Sequence, residues 1–520
     1  MNKASAVRYN ARNASLYDII PHWDRFCQRL LNVFTQKSQI GYIGKLLTEE
    51  KNHNIIKYNI ANTDMKKMIK KNDILKLEII DVSFAGLGVA RYSDDEVENF
   101  IIFVHNAIPQ DVIMCRIVKT EKNFAYGIID KIISGSKNRI NVPCKTFEKC
   151  GGCVYLNMDY KNELEIKRQA VINAFKRHME SFPDPLTAVP SPEIENYRNK
   201  VVCPLSMNGK FGFYARASHR NIENNACFLQ DADFEKYLTA TEQYVKDKNI
   251  TPYNETSGTG LFRQLYLRKA KNTGEICVCA VLNGKKLPYE EEFAELMEKT
   301  GASSVYVNEN TTRGNTVLGR NFRLIRGKER ITDTLCDIEY EISPRAFYQI
   351  NSRQAENLYK YAVSLADINE KDTVLDLFCG IGTISLLAAK SGAKRVVGIE
   401  IIEEAIQDAK RNARINGIEN AEFFAADAAE TLKIVEKCGG TPDTVIVDPP
   451  RKGLGIETVN AIAQLSPEKI VYISCNPETQ AKDIVSLAEY GYSFNSIQPF
   501  DMFPRTQHVE TVVLMSRAKG

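Results

Sequence analysis

Ile470-Val471-Tyr472-Ile473-Ser474-Cys475-Asn476-Pro477 is the stretch from which the rest of the chain is read. Its first four residues are β-branched or aromatic and predict a short buried strand. Pro477 cannot continue a central strand and marks its end. Cys475 then falls at the carboxyl end of a strand, the edge where ligands bind in open α/β sheets. Most cysteines are simply small hydrophobes. A thiol at this edge becomes a candidate nucleophile only if neighbouring strand ends carry matching chemistry.

They do. From Asp372 onward, strand-like runs at 373–378, 395–400, 443–448, 469–474 and 509–515 alternate with helical spacing at 383–391 and 403–416. Such alternation predicts a doubly wound, mostly parallel sheet. Asp376-Leu377-Phe378-Cys379-Gly380-Ile381-Gly382-Thr383 reads as strand, glycine loop and helix start. There the backbone can approach a ligand closely, and a helix amino terminus favours a carboxylate. A dinucleotide loop would carry a third glycine, but Ser385 stands in its place. Glu400 ends the next strand, at the distance where an acid reaches ribose hydroxyls. Val447-Asp448-Pro449-Pro450-Arg451-Lys452-Gly453 ends another, and its two prolines hold a carboxylate and carbonyls rigidly.

The 520 residues exceed one core and predict about three domains. A net charge of +3 leaves any nucleic-acid contact to local basic clusters. No apolar run is long enough to span a bilayer, and no signal-peptide pattern opens the chain. Thirteen cysteines without such a signal argue for metal ligation, catalysis or packing in a reducing compartment. A soluble cytoplasmic protein, working as a monomer, is the expectation. Residues 17–34 have helical apolar spacing around Trp23, and 65–71 form a basic run.

Residues 73–134 hold several short strand patterns punctuated by Gly86 and Gly88, which predicts a small five-stranded barrel of the OB type. Cys144, Cys150 and Cys153 follow within ten residues, bent around Gly151-Gly152. Three such sulfurs can face one centre, and a fourth ligand is needed; Cys227 is the candidate and Cys203 its rival. Spacing alone admits zinc or iron–sulfur. Residues 197–216 and 260–268 interleave aromatic and basic side chains, either as an RNA-stacking surface or as β-structure with amphipathic tips.

Taken together these motifs resemble known families. The barrel resembles the TRAM domain of RNA-modifying enzymes. The glycine loop with its acid resembles the S-adenosylmethionine site of class I methyltransferases. Ile473-Ser474-Cys475-Asn476-Pro477, the Asp448-Pro449-Pro450-Arg451 corner, Ser343-Pro344-Arg345-Ala346-Phe347-Tyr348-Gln349-Ile350-Asn351, residues 503–511 and the cysteine cluster resemble the RNA uracil-C5 methyltransferases. The likeness runs from about Asp73 to the carboxyl terminus and is closest to the branch acting on 23S ribosomal RNA. It implies Cys475 as nucleophile and Glu510 as general base, with His508 a rival base on chemistry alone. It implies Gln349, Phe378, Gly380, Glu400 and Asp448 at the S-adenosylmethionine and base pocket. It also implies a 4Fe-4S cluster on Cys144, Cys150, Cys153 and Cys227. The expected domains are an extension (1–71), a TRAM-like barrel (72–134), a central α+β iron–sulfur domain (135–340) and the methyltransferase domain (341–520). The rival functions are a tRNA uracil-C5 methyltransferase and an RNA-binding protein that has lost catalysis.

Overall fold

The computed structural model describes residues 69–517, apart from Phe84, Glu96, Asn315 and Gly439. The chain divides into two units, residues 1–67 and 68–520, and the described residues belong to the second. The apolar spacing at 17–34 and most of the basic run at 65–71 lie outside the described residues. Among the described residues no helix is long and apolar enough to cross a membrane.

The first sheet is a closed barrel. Its order is Ile74–Glu78, Val112–Thr120, Phe124–Ser134, Phe100–His105, Gly88–Tyr92 and Asp81–Val82. The two edge strands are one bent segment. Ile79 donates to Asp111 O on one side and Ile80 to Val89 O on the other, so no edge is left open. Alternating burial along Val112–Thr120 sends Ile113, Cys115 and Ile117 inward, where they pack with Ile102 and Val104.

A second, mixed sheet runs Asn321–Gly327, Ser304–Glu309, Ile276–Leu282, Phe262–Lys269 and Lys200–Pro204. Ile276–Leu282 is buried along its whole length because both its faces are covered. One face packs under the helices Phe234–Asp247 and Glu290–Thr300. The other face, through Tyr266, Cys277, Cys279 and Tyr306, shares a core with the carboxyl-terminal sheet. Much of the aromatic and basic strips therefore serves the interior, although Lys210 is exposed and Phe213, Tyr214 and Arg216 are half-buried. Tyr197, Phe211, Phe262 and Tyr266 are buried, as are Arg263 and Arg268. Arg268 donates to Ser343 O and Ala346 O, which fixes the loop at 343–351.

The carboxyl-terminal sheet has the order Ala421–Ala425, Arg395–Glu400, Thr373–Leu377, Thr444–Val447, Lys469–Ser474, Glu510–Arg517 and Tyr492–Phe494, with Gln498–Phe500 also pairing Glu510–Arg517. The first five strands are parallel, and Glu510–Arg517 is antiparallel to its neighbours. Each parallel strand is apolar on both faces. Val471 and Ile473 enter one core, while Ile470 and Tyr472 enter the other. Helices cover both faces, giving the doubly wound α/β form. The strand order reverses between Thr373–Leu377 and Thr444–Val447, which opens a crevice at their carboxyl ends.

The helix Tyr160–Lys176 lies against this sheet beside Pro477–Ala488, burying Val171 and Phe175. Asp159 caps it by accepting from Lys161 N. Its inner face carries Lys167, which is 1% exposed and donates to Glu163 Oε1 (2.9 Å), Asp501 Oδ1 (2.6 Å) and Phe503 O (3.2 Å). Arg505 completes the group, with its backbone N on Glu163 Oε1 at 2.6 Å and Nη1 on Glu163 Oε2 at 3.2 Å. Two buried carboxylates thus face two buried cations. Removing one partner strands the rest, so Lys167→Met is expected to cost about 3–5 kcal/mol, read as a lowered melting temperature of the full chain. A Tm equal to that of the parent protein would show that these charges are dispensable.

Candidate active site

Three strand ends meet at one edge of the carboxyl-terminal sheet. Cys475 follows Lys469–Ser474, Asp448 follows Thr444–Val447, and Glu510 opens the antiparallel strand Glu510–Arg517. Because that last strand runs backwards, its first residue lies beside the last residues of its neighbours; Ser474 pairs with Thr511. Asn476 locks the corner. Its Oδ1 accepts from Glu478 N at 3.2 Å, capping Pro477–Ala488, while its Nδ2 donates to Arg451 O at 2.9 Å. Gln480 reaches back from the same helix, donating to Tyr472 O at 3.0 Å and accepting from Thr511 Oγ1 at 2.5 Å. Asp483 accepts from Leu454 N (2.8 Å) and Tyr472 O–H (2.6 Å), which ties down the loop after Asp448-Pro449-Pro450.

Burial and mutual repulsion define the electrostatics. Burial pushes Asp448 up to about 7. Burial, then the Asp448 charge, pushes Glu510 up to about 8 against the pull of Arg451. Burial, then Glu510 and Asp448, pushes the Cys475 thiol up to about 12, again opposed by Arg451. The three groups therefore lie within electrostatic reach of one another, with one nearby cation. A carboxyl near 8 suits a base working at neutral pH. His508 is pulled down to about 4 by burial and by Arg451, whose Nη2 lies 3.2 Å from its Nδ1. That ring is neutral and weakly basic, which disfavours it beside Glu510.

The crevice at the strand-order reversal is lined by the glycine loop. Phe378 adopts φ 66°, a left-handed conformation unusual outside glycine and frequent at functional sites. Gly380 has φ 55° and nothing within 4 Å of where a Cβ would stand, so its backbone faces open space. Its N donates to Glu400 Oε2 at 3.3 Å, and Ile402 N donates to Glu400 Oε1 at 3.0 Å. Gln349 is held through its backbone carbonyl by Asn199 Nδ2 at 2.9 Å.

Two further residues stand at this site, one of them the first of the glycine-loop motif. Asp376 is fully buried and pushed up to about 7 by burial; Ser385 Oγ donates to its Oδ2 at 2.5 Å, while Oδ1 has no partner. Ser385, standing where a dinucleotide loop has glycine, thus has its own task. Tyr359, buried on Ser352–Ala366, lies beside Gln349 and within reach of the Asp448 and Glu510 charges. Its apolar helical spacing makes it look like ordinary core.

Cys144, Cys150, Cys153 and Cys227 line a single cavity of about 300 Å³. Cys203 does not; it is fully buried within Lys200–Pro204. Burial raises the Cys150, Cys153 and Cys227 thiols. Among the described residues no three His, Cys, Asp or Glu side chains are grouped closely enough to hold one metal ion. Arg198 also lines the cavity, and its buried Nε has no hydrogen-bond partner.

This arrangement matches known proteins. The family described as tRNA (Uracil-5-)-methyltransferase matches residues 291–518. An RNA methyltransferase of Lactobacillus johnsonii is 38% identical over 456 residues, covering 87% of this chain and 100% of its own. One from Clostridium acetobutylicum is 38% identical over 464 residues, covering 87% of this chain and 99% of its own. Among solved structures, the Pyrococcus abyssi tRNA (uracil-54, C5)-methyltransferase in complex with S-adenosyl-L-homocysteine is 28% identical with TM-score 0.69, over 85% of this chain and 100% of that one. The strand-end thiol and acids thus sit on a scaffold shared along nearly the whole length of these relatives, and the chain belongs to the RNA uracil-C5 methyltransferase family.

Proposed function

We propose that this protein methylates C5 of a uridine in 23S ribosomal RNA with S-adenosylmethionine as methyl donor. The observation that carries the reading is the convergence of Cys475, Asp448 and Glu510 at one sheet edge within electrostatic reach of each other. The donor pocket fits: an open backbone cradle at Gly380, a carboxylate at Glu400 and an unpartnered buried oxygen on Asp376. S-adenosylmethionine, when bound, supplies an electrophilic methyl group. Gly380 and Glu400 would hold it, with Phe378 and Gln349 beside them.

Uracil C5 is a poor nucleophile until the ring is activated. Cys475, opposite the Arg451 cation, gives up its thiol proton to solvent as its sulfur adds to C6, and the C5=C6 electron pair shifts to an enolate whose C5 is electron-rich. Once C5 carries its methyl group, the Glu510 carboxylate takes H5 as a proton. The C5–H pair then re-forms C5=C6 and expels the thiolate, which regenerates Cys475. Asp448 faces the reacting base and shares in its recognition. A target base must be flipped out to reach this edge, at least cost from a single-stranded loop. The TRAM-like barrel (72–134) and central domain (135–340) grip the flanking RNA, and residues 341–520 do the chemistry.

Four thiolates around one cavity suit a soft metal centre. The shared lining of that cavity by Cys144, Cys150, Cys153 and Cys227 is what supports reading it as the place of a 4Fe-4S cluster. The cluster is what favours 23S ribosomal RNA. A tRNA substrate is the second reading, favoured by the matched family description and by the Pyrococcus abyssi neighbour. Mapping 5-methyluridine in ribosomal and transfer RNA of cells with and without the gene decides between them. Loss of the mark from tRNA alone would refute the ribosomal reading.

Cys475→Ala is expected to abolish turnover while RNA and donor binding persist. The parent protein should trap 5-fluorouridine RNA covalently, because fluorine cannot leave as a proton; turnover by the alanine variant would remove Cys475 from its role. Glu510→Gln should slow product release on the order of 10²–10⁴-fold, with methylated adduct accumulating on Cys475. In the parent protein, Glu510 is protonated below about 8 and cannot take H5, so kcat should climb with pH through that value; a flat profile from pH 6 to 9 counts against this base. Protein purified without oxygen should be brown and carry about four irons per chain, and Cys150→Ser should bleach it. One zinc and no colour would rule out the iron–sulfur assignment.

A further inference from the structure

The strands Gln498–Phe500 and Glu510–Arg517 pair antiparallel, with Phe500 opposite Glu510. Residues 501–509 are therefore the loop of a hairpin, and Glu510 is the first residue after it. The hairpin tip is held from outside the sheet at consecutive carbonyls. Pro504 O accepts from the Tyr197 hydroxyl at 3.0 Å. Arg505 O accepts from Val154 N at 2.9 Å and from Tyr155 N at 3.3 Å. Both contacts begin at the thiol cavity: Val154 directly follows Cys153, and Tyr197 precedes Arg198, which lines that cavity. Val154 also packs on the barrel, with Val82 and Ile108, and a Cβ placed at Gly86 would collide with its own. Arg505 itself has φ 69°, a conformation that persists where its surroundings over-determine it.

We propose that the Cys150–Cys153 loop and the Tyr197 hydroxyl form one brace on the Glu510 hairpin, so that filling the thiol cavity tightens the proton-removal step. Tyr197 is a positioning residue for Glu510. The link to the cavity's contents rests on the 4Fe-4S reading. With four ligands tied to one group, the Cys153–Tyr155 backbone is fixed, and the hairpin tip is fixed with it. Without the group, the Cys153–Tyr155 backbone keeps its protein contacts, among them Arg216 Nη2 on Cys153 O at 3.4 Å and Met158 N on Tyr155 O at 3.1 Å, but loses the restraint through Cys153, and the hairpin tip loosens with it. Displacement of a reacting group by about 1 Å costs on the order of 10²-fold, and that loss falls on H5 removal rather than on donor binding.

Tyr197→Phe keeps the buried ring and removes only the hydroxyl. In the full chain, purified without oxygen, it should keep parental iron content and donor KM. Its kcat should fall on the order of tenfold or more, with methylated adduct accumulating on Cys475. Parental kcat and adduct level would overturn the brace, and so would an equal loss of donor binding, adduct formation and release. In parallel, Cys150→Ser should speed amide hydrogen exchange at residues 503–508 while residues 511–514 stay protected. Unchanged exchange at 503–508 would sever the cavity from the hairpin. Should the parent protein carry no iron, the cluster reading fails by itself, and the Tyr197→Phe kinetics still decide the positioning role.

Discussion

The buried ion group of Lys167, Glu163, Asp501 and Arg505 is the constraint on which the catalytic half depends. Two carboxylates and two cations are taken out of water together, at a desolvation cost that only complete pairing offsets. Completeness is what makes it informative. Lys167 donates to both acids and to Phe503 O, and Tyr160 O–H donates to the remaining Asp501 oxygen at 2.8 Å. One helix about a third of the way along the sequence is thereby bound to one loop near its end, and no hydrophobic contact would specify that register so narrowly. The loop so fixed leads directly into Glu510.

The reaction edge shows the opposite use of charge. Burial pushes Asp448 into the neutral range, and burial with the Asp448 charge does the same to Glu510, opposed by Arg451. Groups left partly uncompensated in this way store instability where chemistry needs a proton acceptor. The scaffold offsets that cost elsewhere. Asn476, Gln480 and Asp483 satisfy the backbone around the corner, and two cores grip each parallel strand from both faces. Rigidity in the frame permits strain in the site.

The central sheet serves the same end. It shares a core with the carboxyl-terminal sheet, and its buried Arg268 reaches across to the carbonyls that shape the Gln349 loop. Asn199, one residue beyond Arg198 in the cavity wall, holds Gln349 from behind. Cysteine cavity, central sheet and donor pocket are thus neighbours through a few hydrogen bonds, although their sequences lie far apart.

How much of this is legible in the sequence depends on the range of the interaction. Signals carried by adjacent residues read well. The apolar run before Cys475, the proline after it, the glycines after Asp376 and the acid at Glu400 all report local backbone states, and each strand end falls within a residue or two of its expected place. Closure of the barrel follows from short strands and glycines, though the bend at Ile79 that achieves it does not. The aromatic and basic strips at 197–216 and 260–268 read equally as surface or interior, because composition does not reveal which face will be covered; the two faces of the central sheet bury Phe211, Phe262 and Tyr266, while Lys210 stays exposed and Phe213, Tyr214 and Arg216 half-buried. Asp376 and Tyr359 read as a strand residue and a packing residue, and only the fold shows one bonded to Ser385 and the other beside Gln349. The sequence by itself determined the order of elements and the chemical groups at their ends, since periodicity and turn residues act over a few positions. The tertiary structure decided which of those groups meet: an antiparallel last strand brings Glu510 to Cys475, and an ion pair across more than three hundred residues of chain holds it there.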